Sequence, residues 1–322
     1  MRVDPATAPT LDRGGVRTLH LSDAGGLTQF GAYRETLSPG AVSSDRHWHT
    51  SEDEFLFVLD GTATVIDDDG AHVLTRGDAV CWRHGDPYAH HVQNLSNAAV
   101  TYLIVGTRVA GDICHYPDSG RRQVNGATDW QVLDAGGAVL RGGDLPPELR
   151  NLPAVWGQDF DGTALPRIHR ADGRVWVTED GYSHPVLGGG LGPYGDCILG
   201  DAGGLSQFGA HLERLPAHSK SSFRHWHEAE DEFLYVLSGT PTLIEDSETL
   251  LHPGDAGVWP AGRPLGHCLA NRTDGDVIYV VIGTRLRTDR IHYPDHDLIT
   301  EKDGPARRYF RADGSPRERR TE

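Results

Sequence analysis

The stretch HWHTSEDEFL at residues 47–56 recurs as HWHEAEDEFL at residues 225–234. On a β-strand, the side chains of residues i and i+2 point to the same face, about 7 Å apart along the chain. Each His-x-His pair can therefore direct two imidazoles toward one metal ion, and imidazole is the commonest protein ligand for transition metals. The duplicated pair predicts a metal site in each half of the chain. The first site would include His47 and His49, and the second would include His225 and His227.

Carboxylates follow each histidine pair and could complete the ligand set. Strand alternation places Glu52 and Glu54 on one face and Asp53 on the other, and the same holds for Glu230, Asp231 and Glu232. The alternation alone leaves both glutamates of each half open as ligands.

The motif is part of a longer internal repeat. Asp-Ala-Gly-Gly-Leu at residues 23–27 returns at 201–205, and His-Tyr-Pro-Asp at 115–118 returns at 292–295. A glutamine follows the first of these motifs in each half, as Gln29 and Gln207, and is explained equally well by a cavity lining or by a hydrogen bond to a turn. Repetition on this scale predicts that both halves share one domain fold.

Within each repeat, short apolar segments alternate with turns. Residues 54–59 end at Asp60-Gly61, and residues 62–66 end at a second polar turn. The segments 100–105 and 277–282 are apolar on both faces, as central strands are. Together with 40 glycines and 19 prolines, this spacing predicts an all-β antiparallel sandwich or barrel.

These motifs resemble the cupin superfamily, and their duplication resembles a bicupin. The first cupin motif, His-x-His, Glu and Gly, is matched by His47, His49, Glu54 and Gly61 and by His225, His227, Glu232 and Gly239. The second, a Gly, a Pro-x-Gly turn, a His and an Asn, is matched by Gly254, Pro260, Gly262, His267 and Asn271, and by Gly77, Gly85, His90 and Asn94 with Arg83 in place of the proline. The resemblance covers residues of about 20–118 and 198–295 and implies two tandem cupin (double-stranded β-helix, jelly-roll) barrels.

The resemblance also implies two sets of metal ligands and selects one glutamate in each. The first set is His47, His49, Glu54 and His90, and the second is His225, His227, Glu232 and His267. Three imidazoles and one carboxylate suit a divalent transition metal (Fe, Mn, Ni, Co or Zn), with up to two ions per chain. Two departures from the family pattern affect loops: the turn before the third histidine is longer, and Gly40 stands one place early.

From the repeat and its boundaries we predict four segments. They are an N-terminal cupin domain at 1–125, a connector at 126–195, a C-terminal cupin domain at 196–300 and a basic tail at 301–322.

Composition narrows the class of partner. A net charge of -16 argues against nucleic acid and against an anionic membrane surface. No apolar run is long enough to span a bilayer, and the first residues lack the apolar region of a signal peptide. The four cysteines form no Cys-x-x-Cys pair and indicate reduced thiols in a cytoplasmic protein. We therefore expect a small-molecule substrate, and a homodimer stays open.

The function expected from the resemblance is that of a metal-dependent enzyme acting on a small metabolite, with dioxygenase-type oxidation as the leading class. A non-redox isomerase, cyclase or lyase is the alternative, and a non-catalytic small-molecule-binding bicupin is a third option, because fold does not determine function. Arg83 and His84, replaced by Pro260 and Ala261 in the second half, could bind an anionic substrate, although an exposed turn explains them as well. No motif identifies an acid–base residue beside the metal.

Overall fold

The computed structural model describes residues 1–150, 152, 163, 165–181 and 183–320, and almost all of their regular structure is β-strand. The predicted all-β class is confirmed. The strands before residue 150 are β1 Arg2–Val3, β2 Thr10–Arg13, β3 Val16–His20, β4 Phe30–Leu37, β5 Trp48–His49, β6 Glu54–Asp60, β7 Thr62–Asp67, β8 Gly70–Thr75, β9 Ala79–Trp82, β10 His91–Gln93, β11 Val100–Thr107, β12 Ile113–Tyr116, β13 Arg121–Asn125, β14 Asp129–Leu133 and β15 Val139–Asp144.

The described strands of the second half repeat this order. They are β16 Ile168–His169, β17 Val177–Glu179, β18 Tyr194–Ile198, β19 Phe208–Leu215, β20 Trp226–His227, β21 Glu232–Ser238, β22 Thr242–Ile244, β23 Glu248–Leu250, β24 Ala256–Trp259, β25 Cys268–Ala270, β26 Val277–Thr284, β27 Thr288–Tyr293, β28 Leu298–Asp303 and β29 Ala306–Phe310. The helical segments are short: α1 Leu21–Gly25, α2 Leu199–Ala202 and a 3₁₀ turn at Pro147–Leu149.

Each half is built on a seven-stranded antiparallel sheet. The orders are β16-β9-β6-β11-β4-β3-β2 in the first half and β1-β24-β21-β26-β19-β18-β17 in the second. A three-stranded sheet, β10-β7-β8 or β23-β22-β25, lies in each barrel as well. The third sheet of each half, β15-β14-β13-β12-β5 or β20-β27-β28-β29, includes the strand with the His-x-His motif.

The two halves exchange their first strands. β1 pairs with β24 of the second half, and β16 pairs with β9 of the first half, so each large sheet ends on a strand from the other repeat. β14, β15, β16 and β17 lie within the predicted connector, and β29 lies within the predicted tail. The predicted segment boundaries stay a prediction, but these two segments contribute strands to the sheets.

Strand alternation divides the apolar residues between two kinds of core. On β6, Leu56 and Val58 point into their own barrel, where they join Trp82 and Tyr102. Phe55 and Phe57, together with alternate residues of β4 and β11, face the other half and form one shared core with it, which includes Phe30, Phe208, Phe233 and Tyr235. The second barrel has an equivalent interior built on β21. The sheets are apolar on both faces because each lies between a barrel and its neighbour.

A reciprocal set of hydrogen bonds, here called the clasps, joins the halves at the ligand strands. Asp53 Oδ2 accepts the backbone N–H groups of Ser206 (2.7 Å) and Gln207 (2.9 Å). The Gln207 side chain returns two bonds: Oε1 accepts from the Asp53 N–H (2.9 Å), and Nε2 donates to the Ser51 carbonyl (2.7 Å). A buried carboxylate and a buried amide are thus satisfied by each other's main chain.

The second clasp repeats the first with the halves interchanged. Asp231 Oδ2 accepts from the N–H groups of Thr28 (2.8 Å) and Gln29 (2.9 Å). Gln29 Oε1 accepts from the Asp231 N–H at 3.1 Å, and its Nε2 donates to the Ala229 carbonyl at 2.6 Å. Gln29 and Gln207 therefore bond the neighbouring ligand segment.

Two glycines let the halves approach closely beside the clasps. A Cβ atom on Gly25 would lie 2.2 Å from Cγ1 of Val258, and one on Gly203 would lie 2.3 Å from Cβ of Cys81. Such distances are well inside van der Waals contact, so the repeated Asp-Ala-Gly-Gly-Leu motif is explained by packing between the halves.

Among the residues that the structure describes, no helix combines the length and the apolar character needed to cross a bilayer.

We predict that Gly25→Ala and Gly203→Ala each lower the free energy of unfolding by about 1–3 kcal/mol, because the added methyl group overpacks the contact between the halves. Denaturant unfolding of the full chain measures this. Gly275→Ala is the matched control, since a Cβ there meets nothing within 4 Å, and we expect a change within about 0.5 kcal/mol. Equal stability of all three variants would contradict the packing argument.

Candidate metal centres

The first candidate centre lies where the end of β5, the start of β6 and the bridge between His47 and His90 come together. His47 and His90 face each other across an isolated bridge, with backbone N–H to carbonyl distances of 3.0 and 2.9 Å. His49 ends β5, and Glu54 begins β6, where it pairs with Trp82 of β9. The fold thereby brings together residues that lie more than 40 positions apart.

The three imidazoles of this centre converge on one carboxylate oxygen. Glu54 Oε2 lies 3.8 Å from Nε2 of His47, 4.0 Å from Nε2 of His49 and 2.9 Å from Nε2 of His90. The Nε2 atoms thus surround the carboxylate from three directions. This is the arrangement expected of four ligands around one ion, and all four residues that the family resemblance implied are present.

The second centre reproduces the first. Nε2 of His225 lies 3.9 Å from Oε1 of Glu232, while Nε2 of His227 and of His267 lie 3.7 and 2.9 Å from Oε2. His225 and His267 share the same isolated bridge as their counterparts. Both predicted sets of four are therefore brought together.

In the first histidine of each His-x-His pair, a backbone carbonyl group holds the Nδ1 atom, so that Nε2 faces the other ligands. Nδ1 of His47 lies 2.9 Å from the Asp45 carbonyl oxygen, and Nδ1 of His225 lies 2.9 Å from that of Phe223. A carbonyl oxygen only accepts, so Nδ1 carries the proton and the lone pair of Nε2 is left for a metal.

Two aspartates that sequence analysis missed orient the second histidine of each pair. Asp112 Oδ2 lies 2.7 Å from Nδ1 of His49, and Asp289 Oδ2 lies 2.5 Å from Nδ1 of His227. Both carboxyl groups are buried. A carboxylate behind a ligating imidazole fixes the ring and increases its basicity. The repeat carried the signal, since each aspartate precedes His-Tyr-Pro-Asp by three residues.

The structure separates the two glutamates that strand alternation left open. Glu54 faces the Nε2 atoms, whereas Glu52 lies behind His49, with Oε2 3.6 Å from Nδ1 and Oε1 accepting from the Val109 N–H at 2.9 Å. Burial raises the pKa of Glu54, but the neighbouring imidazoles of His49, His47 and His90 outweigh it and hold that pKa well below its usual value. Burial raises the pKa of Glu52 to about 8. Glu54 is therefore the carboxylate placed to share an ion with the three imidazoles.

Further side chains near the centre could compete for an ion. Glu52 and Asp112 form a second group with His49, and the Cys114 thiol lies close to His47 and His49. The first group would have to use Nδ1 of His49, which already bonds Asp112 at 2.7 Å. Cys114 pairs with His49 across β12 and β5, and Ile291 stands at its place in the second half. The Cys114 group therefore occurs in the first half only, whereas the Glu52 and Asp112 group recurs as His227, Glu230 and Asp289 and differs from the predicted set in using Nδ1.

Four tryptophans stack on histidines, two of them on candidate ligands of the centres and two on the histidines of the His-Tyr-Pro-Asp motifs. Trp82 stacks on His90 and Trp259 on His267, each at 3.8 Å between ring centroids. Trp48 stacks on His115 at 4.0 Å, and Trp226 stacks on His292 in the same way. The stacking fixes the ring planes of His90 and His267, the third histidine in each set.

Arg83 and His84, predicted as substrate-binding residues, are placed differently from each other. His84 is buried, and its N–H and Nδ1 lie 2.8 and 2.6 Å from Asp53 Oδ1, which makes it part of the first clasp. Arg83 lines a small cavity beside the first centre together with Tyr88 and Asp86. That cavity holds about 10 Å³, room for about one water molecule.

The donor set fits a divalent transition metal. In the second centre, Glu232 Oε2 is buried and has no hydrogen-bond partner among the described residues, although two Nε2 atoms lie within 3.7 Å. A bound cation would satisfy that oxygen and the facing lone pairs at once. Such an ion would be held by three imidazoles and one carboxylate, which leaves positions open for other ligands.

Comparison with known proteins identifies the family of the chain. The family profile described as the cupin domain matches residues 33–106 and again residues 211–283. No curated protein matches the chain. A sugar phosphate isomerase of the cupin superfamily from Silicibacter pomeroyi is similar, with 40% sequence identity over 44% of this chain and 91% of that one and a TM-score of 0.41.

Two longer matches show the tandem fold. The oxalate decarboxylase of Lactobacillus farciminis aligns over 88% of this chain and 86% of its own, with 16% identity and a TM-score of 0.53. The oxalate decarboxylase of Bacillus subtilis aligns over 88% and 75%, with 17% identity and a TM-score of 0.51. At this level of identity the likeness concerns the fold alone. The domain match in both halves and the tandem barrels show that the chain belongs to the cupin superfamily, as a bicupin.

Proposed function

We propose that the chain is a metal-dependent enzyme that acts on a small metabolite, with a divalent transition metal in each barrel. The observation that carries this proposal is the convergence, in both halves, of three histidine Nε2 atoms on one glutamate carboxylate at 2.9–4.0 Å. The proposed ligands are those predicted from the sequence: His47, His49, Glu54 and His90, and His225, His227, Glu232 and His267.

The side chains around the first centre have separate roles in this proposal. His47, His49 and His90 would each contribute an Nε2 lone pair to the ion, and Glu54 would supply one negative charge. Asp112 orients His49 from behind. A bound metal would supply either redox chemistry with dioxygen or Lewis-acid polarisation of a substrate oxygen. The ligands leave that choice open, because the same set accepts Fe, Mn, Ni, Co or Zn.

We propose dioxygenase-type oxidation as the reaction. It is supported by the family resemblance and by a ligand set of three neutral imidazoles and one carboxylate that suits Fe(II).

A non-redox isomerase, cyclase or lyase is the second candidate, and one observation favours it. Glu52 lines the same 10 Å³ cavity as Glu54 and His90. A second carboxyl group within the cavity offers an acid–base group that no motif had identified, and proton transfer by a positioned carboxyl group is what such reactions need.

We predict that the reconstituted wild-type chain binds two equivalents of Zn(II) or Mn(II), and that Glu54→Gln and Glu232→Gln each bind one. Each substitution removes the only carboxylate of its centre while keeping its shape. Elemental analysis after dialysis measures the stoichiometry. Glu52→Gln is the matched control, because Glu52 lies on the Nδ1 side of His49, and it should keep both ions. Loss of an ion in Glu52→Gln but not in Glu54→Gln would show that Glu52, and not Glu54, is the ligand.

We predict that Asp112→Asn weakens metal binding at the first centre by about 10- to 100-fold and leaves the second centre unchanged, because an amide no longer fixes the His49 ring as an anion does. Competition with a chromophoric chelator resolves the two affinities. Asp289→Asn should show the opposite selectivity. Equal loss at both centres in either variant would mean that the aspartate acts on folding instead.

We predict that the Fe(II)-loaded chain consumes dioxygen with at least one member of a panel of small polar and aromatic metabolites, and that the double variant His49→Ala/His227→Ala, which loses a ligand in both centres, abolishes this consumption. An oxygen electrode and product analysis measure the reaction. Turnover of the panel by the Zn(II)-loaded chain without oxygen would contradict oxidation and support the second candidate. Saturable binding with no turnover in either form would contradict an enzymatic role.

A further inference from the structure

Glu52 and Glu230, which lie near Nδ1 of His49 and of His227, have different partners, although the residues around them correspond. In the second half, Glu230 Oε1 contacts the Lys302 ammonium group and accepts from the Leu286 N–H at 2.6 Å. In the first half, Glu52 keeps the equivalent backbone bond, to Val109 at 2.9 Å. Among the residues that the structure describes, its ion-pair contact is with His49 only.

The position of Lys302 is taken by Asn125. Lys302 stands opposite Asp289 in the pairing of β27 with β28. Asn125 stands opposite Asp112 at the same point of the first half, where its N–H bonds the Asp112 carbonyl at 2.9 Å. Asp112 and Asp289 are themselves equivalent, since each bonds the second histidine of its pair. A partly buried cation in one half is thus replaced by a neutral amide in the other.

Space opens where the lysine is lacking. A cavity of about 410 Å³, here called the Glu52 cavity, has Glu52 and Asn125 in its lining together with apolar and aromatic side chains. Trp130, Leu145 and Leu149 supply that apolar surface, and Arg141 lies with its guanidinium 5.8 Å from the Trp130 ring centroid. The volume is within the range of small-molecule sites, and a few polar groups in an apolar lining are typical of them.

Arg108 also lines the cavity but does not neutralise Glu52. Its guanidinium contacts Asp23, the Tyr33 hydroxyl and the Leu27 carbonyl oxygen. Arg285 makes the matching contacts with Asp201 and the Leu205 carbonyl in the second half. Arg108 is therefore part of the common framework, whereas the lysine that contacts Glu230 has no equivalent at Glu52.

We propose that the Glu52 cavity binds a small primary amine, whose ammonium group contacts Glu52 as Lys302 contacts Glu230, and whose apolar part packs on Trp130, Leu145 and Leu149. The second half shows how the fold accommodates an ammonium ion at this carboxylate. The first half supplies the same carboxylate with an open, partly apolar space beside it. This binding requires no reaction at the metal, so it stands or falls independently of the proposed function.

The test is calorimetric titration of the metal-loaded full chain with n-butylamine and, separately, with the uncharged n-butanol, at about pH 9, where Glu52 is ionised and the amine is still protonated. We expect saturable binding of the amine at one site per chain and at least tenfold weaker binding of the alcohol. Asn125→Lys should weaken amine binding at least tenfold, because its own ammonium reaches the carboxylate. Gln131→Lys, which adds the same charge on an exposed position of β14, is the matched control and should bind as the wild type does.

Glu52→Gln is the second variant, in case Asn125→Lys does not fold, and it should also lose the amine while keeping its metal. Unchanged amine affinity in Asn125→Lys or in Glu52→Gln would overturn the proposal. So would equal binding of the alcohol, or no saturable binding of the amine to the wild type.

Discussion

The structure depends on three consecutive acidic residues that lead into β6, Glu52, Asp53 and Glu54, whose side chains point alternately to opposite faces. Glu54 points to the imidazoles of its own barrel, while Asp53 points the opposite way and binds the main chain of the other half at 2.7–2.9 Å. Asp231 and Glu232 repeat this division. A shift of one residue in the register of this strand would exchange the ligand with the residue that joins the halves. The same short segment therefore positions the candidate metal centre and fixes the interface.

The two halves are consequently one folding unit with two similar centres in different surroundings. Each large sheet takes an edge strand from the other repeat, and the shared core contains phenylalanines of both. The ligand sets, the aspartates behind them and the stacked tryptophans are duplicated. The halves differ in residues that surround the ligands. Asn125, Cys114 and His84 of the first half correspond to Lys302, Ile291 and Ala261 of the second. Divergence of function between the halves would arise at these positions.

Sequence reasoning predicted much of the fold and of the ligand sets because both follow from short-range patterns. The period of two on each strand fixes which side chains share a face, and the repeat shows which residues recur together. Partners that depend on the meeting of distant segments could not be predicted in this way. Asp112 behind His49, and Gln207 bonded to Asp53, became assignable only once the chain was folded. His84 illustrates the limit: the sequence suggested either a substrate contact or an exposed turn, whereas its imidazole is buried and lies 2.6 Å from Asp53 within the interface.

The central claim, that each barrel holds an ion between three imidazoles and one glutamate, is tested most directly by anomalous diffraction from crystals of the metal-loaded chain. The account predicts two anomalous peaks per chain, one within coordination distance of His47, His49, Glu54 and His90 and one within that of His225, His227, Glu232 and His267. A peak beside Asp112 and Glu52 instead, or no peak in either barrel, would contradict it.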